Sequence, residues 1–236
     1  MEHARYIERR GQIEHYFDRT AAQAWERLTS TAPVGRIRAT VRAGRDRMRC
    51  TLLDWLPADM SGLRLLDAGC GTGALAQEAA ARGAQVVAID LSPTLVGLAR
   101  ERFEAGAAAS LRGRIDFRFG DMLDEALGEF DHVVAMDSLI HYDTHDIVAA
   151  VQSLSRRTRS SMLFTFAPRT PLLAAMHRVG RLFPRSDRSP SLEPQSQPVL
   201  RDGLHGALAA QGWREGRSER IASGFYTSQA WEWTRS

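Results

Sequence analysis

Leu65-Leu66-Asp67-Ala68-Gly69-Cys70-Gly71-Thr72-Gly73 decides how the whole chain is read. A short apolar run ends in an aspartate, and three glycines follow at alternate positions. Ala74-Leu75-Ala76-Gln77-Glu78-Ala79-Ala80-Ala81-Arg82 then reads as a helix of strong formers. Strand, glycine turn and helix N-terminus make a place where backbone approaches a ligand closely. The strand-end carboxylate adds a fixed negative charge, which suits a ligand bearing an ammonium group better than a pyrophosphate. Gln85-Val86-Val87-Ala88-Ile89-Asp90 is a second apolar strand ending in an acid. It lies about 20 residues on, where nucleotide-type folds place a ribose-binding carboxylate.

The spacing Gly69-x-Gly71-x-Gly73 differs from the Gly-x-Gly-x-x-Gly of dinucleotide enzymes. With Leu66-Asp67 before it, the stretch resembles the signature of the class I S-adenosylmethionine (SAM)-dependent methyltransferases. The resemblance implies that Asp67, Gly69, Gly71 and Gly73 hold the methionine end of SAM. Asp90, followed by Leu91, takes the ribose hydroxyls. Asp121 accepts the adenine amino group, and Met122 lines the base. Asp137, after the fourth strand, joins this cofactor-binding set.

Composition narrows the class. The 236 residues suffice for one α/β domain with appended segments, and 44% apolar content is ordinary for a globular chain. No apolar run approaches the length of a membrane-spanning helix, and Met1 to Arg10 lacks the apolar core of a signal peptide. Two cysteines, Cys50 and Cys70, make no disulfide framework, so a cytoplasmic protein is expected. Net charge is +3, and every one of the 31 basic residues counted as Lys or Arg is arginine. Arginine suits bidentate carboxylate binding and stacking on flat rings. No nucleic-acid-binding motif is present, so no nucleic-acid partner is expected.

In chain order, residues 1–60 read as an N-terminal helical arm. Ile13, Tyr16, Phe17, Ala21, Ala24, Trp25 and Leu28 form one apolar stripe; Val34, Ile37, Val41, Met48, Leu52 and Trp55 form a second. Arg38, Arg42, Arg45 and Arg49 share a face beside that second stripe, as a solvated surface or as a rim for an anionic substrate. Residues 61–236 read as the methyltransferase domain. Ser92-Pro93 opens a helix through Arg102. Strands follow at Ile115–Phe119, Phe130–Asp137 and Ser161–Phe166, with a helix from Thr144 to Leu154. The alternation indicates a doubly wound, mostly parallel α/β sheet, seven-stranded and Rossmann-like by the resemblance. A proline-punctuated insertion at about 168–200 carries a short amphipathic helix with His177, and looks like a lid. A helix from Asp202 to Gln211 and a hairpin of Trp213–Ser218 with Ile221–Trp233 end the chain.

Acceptor chemistry is expected after the fourth strand, in Met136-Asp137-Ser138-Leu139-Ile140-His141-Tyr142. Strand C-terminal ends face the ligand crevice in this architecture. His141 is a candidate orienting group or base, while His132 within the strand reads as structural.

A narrower resemblance covers nearly the whole chain. Tyr16-Phe17-Asp18-Arg19-Thr20 with Trp25, Ile37-Arg38, Val41-Arg42 with Arg45, Ala167-Pro168-Arg169-Thr170-Pro171 and Leu182-Phe183-Pro184-Arg185-Ser186 are similar to the magnesium-protoporphyrin IX O-methyltransferases of bacteriochlorophyll synthesis. This implies methyl transfer from SAM to one propionate of Mg-protoporphyrin IX, giving the monomethyl ester and S-adenosylhomocysteine (SAH). It implies contact with the large porphyrin-binding subunit of magnesium chelatase and at most peripheral membrane association. Magnesium enters only as part of the substrate. Tyr16 and His141 are placed at the reacting carboxylate, and Arg38, Arg42 and His177 on the substrate side. Two other readings stay open: a SAM-dependent methyltransferase for another acceptor such as a quinone precursor, and a non-catalytic porphyrin carrier.

Overall fold

The computed structural model describes residues 2–16, 18, 35–106, 111–169 and 192–235. Two helices, α1 (Glu2–His15) and α2 (Arg36–Asp54), precede β1 (Arg64–Ala68). Then come α3 (Ala74–Ala81), β2 (Gln85–Asp90), α4 (Pro93–Gly106), β3 (Ile115–Phe119), β4 (Phe130–Ala135), α5 (Thr144–Ser155) and β5 (Thr158–Phe166). The chain closes with α6 (Gln197–Leu208), β6 (Trp213–Ser223) and β7 (Tyr226–Arg235).

The seven strands form one sheet in the order β3-β2-β1-β4-β5-β7-β6. β1 pairs in parallel with β2 on one side and β4 on the other, while β7 is antiparallel to both β5 and β6. The expected mostly parallel, seven-stranded α/β sheet is therefore present. Leu65, Leu66, Val133 and Val134 are buried because helices cover both sheet faces, as parallel strands require. Trp231 and Trp233 of β7 alternate with Glu232, so both indoles enter the same core, beside Phe164 and Phe166 of β5. The opposite face packs Met48 and Leu52 of α2 against Leu65, Ala76 and Ala230.

Local chemistry fixes the helix starts. The Leu95 N–H donates to Ser92 Oγ at 3.2 Å and Pro93 opens α4, so the cap read from the sequence is in place. α6 begins five residues earlier than expected. Pro198, taken as a break, sits in its first turn after Ser196, where a missing N–H costs nothing. α6 ends at Leu208, earlier than expected, and a 3-10 turn, Ala209–Gln211, carries the chain on to the expected stop at Gly212, with φ of +81°. The terminal hairpin turns at Gly224-Phe225, not between Ser218 and Ile221. A bulge between Glu215 and Ser218 supplies the irregularity, and pairing resumes through Ser223. Ile37 leaves its expected stripe and is 58% exposed, whereas Met48 and Leu52 are wholly buried. The remainder of the first apolar stripe beyond Asp18, and the insertion helix with His177, lie outside the described residues.

Candidate active site

Strand order reverses between β1 and β4, and a crevice opens beyond the C-terminal ends of strands at such a switch point. A cavity of about 570 Å³ occupies that position. Its floor is the glycine turn after β1, with Asp67, Gly69, Cys70 and Gly71. One wall carries Asp90, Leu91, Asp121 and Met122, and another carries Met136, Asp137, Ser138 and His141. α2 contributes Arg42, Arg45 and Arg49, and α1 contributes Tyr6 and Ile13.

Asp67 is 2% exposed, and among the described residues its Oδ2 has no hydrogen-bond partner. Burial, reinforced by the charge of Asp90 and partly offset by the Ala76 N–H, pushes its carboxyl up to about 7. An orphaned buried carboxylate oxygen beside a cavity is costly unless a cation or donor fills the place. The other cavity acids are supplied from the protein. Asp90 accepts from the Gly71 N–H at 2.9 Å and the Ser92 N–H at 3.0 Å, and burial still raises its carboxyl. Asp121 receives the Tyr6 hydroxyl at 2.9 Å, the Leu123 N–H at 2.9 Å and the Arg10 guanidinium at 3.0 Å. Asp137 is bound by Arg45 at 2.7 Å, and Asp46 by Arg49 at 2.9 Å. An ammonium group on the ligand therefore has one acid waiting for it, Asp67. The site fits the amino-acid end of SAM by its own charge pattern.

The glycines divide by role. Gly69 (φ +84°) presses on the acceptor wall: a Cβ there would lie 2.3 Å from Ser138 Cβ. Gly71 (φ +53°) turns its N–H onto Asp90 and lines the cavity. Gly73 does not line it. Its added Cβ would meet Phe117 Cε1 at 3.0 Å and Ala99 Cβ at 3.2 Å, so this glycine lets α3 pack closely.

Other expectations also shift. Asp137 is the one described non-glycine residue with positive φ, +54°. Its carboxylate accepts from Arg45, from the Tyr226 hydroxyl at 3.1 Å, from Ser228 at 3.3 Å and from Thr165 at 3.2 Å. It is engaged by protein groups on several sides while still lining the cavity wall, as expected of a residue at the end of β4. Tyr16, half-buried, is not among the cavity-lining residues; Tyr6 is. Arg38 is exposed and also lies outside the lining, whereas Arg42 lies within it. His141 is buried in a short turn, Leu139–His141, and lines the cavity as expected. His132 is bonded through Nδ1 to Ser161 Oγ at 2.8 Å, the structural part expected of it.

Three contributors had no strong signal in the sequence. Tyr6 and Arg10 reach Asp121 from α1, and Tyr6 stacks on Tyr142 with ring centroids 5.5 Å apart. Arg157 donates to the carbonyls of Met122 and Asp124, pinning the loop that presents Asp121 and Met122. Among the described residues, one trio of possible metal ligands comes together, Asp143, His145 and Asp146. It lies outside the cavity lining, and Asp143 is the N-cap of α5.

Comparisons with known proteins agree with this geometry. Residues 135–235 match the family described as "Magnesium-protoporphyrin IX methyltransferase C-terminus", and residues 65–161 match a general methyltransferase domain. The chain is 47% identical to magnesium-protoporphyrin O-methyltransferase of Rhodobacter capsulatus over 97% of each chain. It is 29% identical to the Synechocystis protein of the same name over 95% of each. The crystal structure of magnesium protoporphyrin IX methyltransferase from Synechocystis with bound SAH superposes with a TM-score of 0.83 at 27% identity, covering 96% of this chain and 99% of that one.

Proposed function

Because the chain belongs to the magnesium-protoporphyrin O-methyltransferase family, we propose that its cavity carries out methyl transfer from SAM to a propionate carboxylate of Mg-protoporphyrin IX. SAM supplies an electrophilic methyl group on its sulfonium. The chain's residues bind, align and exclude water. Asp67 receives the ammonium, Asp90 the ribose hydroxyls, and Asp121 with Met122 the adenine. The acceptor enters from the wall bearing His141 and Tyr142.

A propionate is already ionised at neutral pH, since carboxyl groups titrate near 4. No strong base is needed, and catalysis rests on alignment and desolvation of the nucleophile. His141, buried in the cavity wall, orients the propionate by a hydrogen bond. A tight ion pair would blunt the nucleophile, so arginine is assigned to the second propionate, with Arg42 as the cavity-lining candidate. The observation that carries this reading is the unpartnered Oδ2 of Asp67 at the strand-end cavity, which fits a ligand with an ammonium group.

The substrate is a flat, poorly soluble macrocycle. That chemistry supports direct receipt from the porphyrin-binding subunit of magnesium chelatase and peripheral contact with a membrane. No helix among the described residues is long and apolar enough to cross one. The test is incubation with methyl-labelled SAM and either Mg-protoporphyrin IX or a phenolic quinone precursor. Label in the porphyrin monomethyl ester is expected; label only in the quinone precursor would overturn the reading.

A further inference from the structure

Resting on the proposed porphyrin substrate for its purpose, we propose that the first turn of α2 and the turn between β6 and β7 form one surface that docks on an anionic lipid bilayer. Four large apolar side chains stand exposed among the described residues, and Ile37, 58% exposed, and Phe225, 53%, are two of them. They meet at one junction. A Cβ at Gly224 would lie 2.3 Å from Thr40 Oγ1, and that hydroxyl donates to the Ile37 carbonyl at 2.8 Å. The turn bearing Phe225 is thus pressed on the helical turn bearing Ile37. Tyr226 fixes the junction from below. It is buried, a Cβ at Gly44 of α2 would lie 2.5 Å from its Cδ1, and its hydroxyl donates to Asp137 of the cavity wall at 3.1 Å.

The charge around this apolar pair has one sign. Arg36 and Arg38 are exposed on either side of Ile37. α2 carries no acid before Asp46, which Arg49 holds at 2.9 Å, and the hairpin carries none from Arg220 to Trp231. Glu219, just before that run, lies 3.8 Å from Arg47. The N-terminus of α2 adds its partial positive charge at the same place. Guanidinium groups pair with phosphate, so the pattern complements anionic phospholipid headgroups, with the two apolar side chains reaching the acyl boundary. Two side chains fall well short of the about 800 Å² per partner of a standard protein interface, whereas shallow apolar insertion flanked by basic charge suffices for reversible membrane contact.

The surface adjoins the cavity. Arg42, one turn after Arg38, lines it. With a rise of about 1.5 Å per residue, Ile37 lies roughly 8 Å from Arg42 along α2. Docking there brings the arginine edge of the cavity to the lipid surface, where a flat, poorly soluble macrocycle collects.

Vesicle flotation without SAM or porphyrin reads the surface apart from the reaction. The vesicles are phosphatidylcholine alone, or an equal mixture with phosphatidylglycerol. The protein should float with the mixed vesicles and far less with the neutral ones, and added salt should release it. Ile37→Ser with Phe225→Ser should cut partitioning roughly tenfold or more. Arg36→Gln with Arg38→Gln should do the same on mixed vesicles, since each charge near an anionic surface counts for about fivefold. Phe119→Ser with Val199→Ser, which alters the other two exposed apolar side chains, on β3 and α6, should float as wild type does. The Ile37 and Phe225 pair variant should keep its melting temperature and its turnover of detergent-dispersed porphyrin, but show a several-fold higher KM when the porphyrin is supplied in mixed vesicles. Wild-type protein that stays off the mixed vesicles would overturn the proposal, and is the result expected if the patch seats an acidic protein instead. Equal losses in the Phe119 and Val199 pair variant would overturn it too, by showing that any exposed apolar side chain serves. Wild-type protein that floats as expected yet methylates no dispersed Mg-protoporphyrin IX would uphold the surface and overturn only the reaction.

Discussion

The Tyr6 hydroxyl donates to Asp121 Oδ1 at 2.9 Å, joining two residues 115 positions apart across the cavity. Arg10, one turn later on α1, holds the other oxygen of the same carboxylate. The acid expected at the adenine is therefore also the anchor of the N-terminal helix. Burial, then the neighbouring charges of Tyr142 and Asp121, hold the Tyr6 phenol well above its ordinary range, so it stays a donor at alkaline pH. Tyr6→Phe keeps the stack on Tyr142 but loses this bond, worth about 1 kcal/mol net. Amide exchange across residues 2–15 should quicken several-fold while β1 and β4 stay protected. Unchanged exchange in α1 would show that the bond does not anchor the helix.

Asp90→Ala should weaken SAM by about 1.5–3 kcal/mol, the range for hydrogen bonds to a charged group. The geometry adds a second cost, because Asp90 also holds the Gly71 N–H and so shapes the loop beneath the ligand. Asp90→Asn retains one acceptor oxygen and should fall between. Calorimetry giving wild-type affinity for both variants would remove Asp90 from the ribose site.

Asp67 makes cofactor binding depend on pH. Its carboxyl is raised to about 7 in the fold, by burial first and Asp90 second. A raised acid binds more protons folded than unfolded, so its contribution to ligand-free stability declines as pH rises from about 4 to 7. An ammonium ligand favours the ionised form. SAM and SAH should thus bind more weakly as pH falls below 7, and binding near neutrality should release part of a proton. Calorimetry in buffers of different ionisation enthalpy measures that release. Persistence of the same release in Asp67→Asn would assign it to another group.

The three glycines test how position sets cost. Gly69→Ala drives a Cβ into Ser138 at a positive φ, and should lose both stability and SAM binding. Gly73→Ala meets Phe117 and Ala99, and should lower stability by about 1–3 kcal/mol through overpacking. SAM affinity well below the melting temperature should then suffer less than in Gly71→Val, whose position lines the cavity. Equal affinity losses for Gly71→Val and Gly73→Ala would contradict the division drawn between them.

Those glycines also show what local sequence can convey. Strand, turn and helix at Leu65–Arg82 are short-range events set by burial period, φ > 0 and helix propensity, and they are legible in the residues. So are Ser92-Pro93 as a helix start and the acids at the ends of β1 and β2. Gly73 shares the motif, but its neighbour is Phe117, 44 positions away, and no spacing rule carries that contact. The same holds for Arg45 with Asp137 and Tyr6 with Asp121, separated by 92 and 115 positions. An arginine stripe reads as a solvated face until the fold supplies its acids. Tyr16 and Tyr6 both sit on apolar helical spacing, and only tertiary packing brings Tyr6 to the cavity. Pro198 misled for a different reason: a proline is a breaker inside a helix and neutral in its first turn.

His141 separates alignment from proton transfer. It lines the cavity on the turn after β4, buried, beside Tyr142. If the propionate reacts as a carboxylate, the histidine has no proton to remove, and its contribution is the hydrogen bond that aims the nucleophile. His141→Gln preserves a donor and an acceptor and should retain most of kcat. His141→Ala should lose roughly ten- to a hundredfold in kcat/KM for the porphyrin, below the upper end for general acid–base catalysis. SAM affinity should change little in either. The pH profile of kcat should keep its shape in His141→Gln, because ionisation of the substrate, not of the enzyme, supplies the nucleophile. A profile in wild type that falls with a midpoint near 6.5 and flattens in His141→Gln would instead make this residue a base.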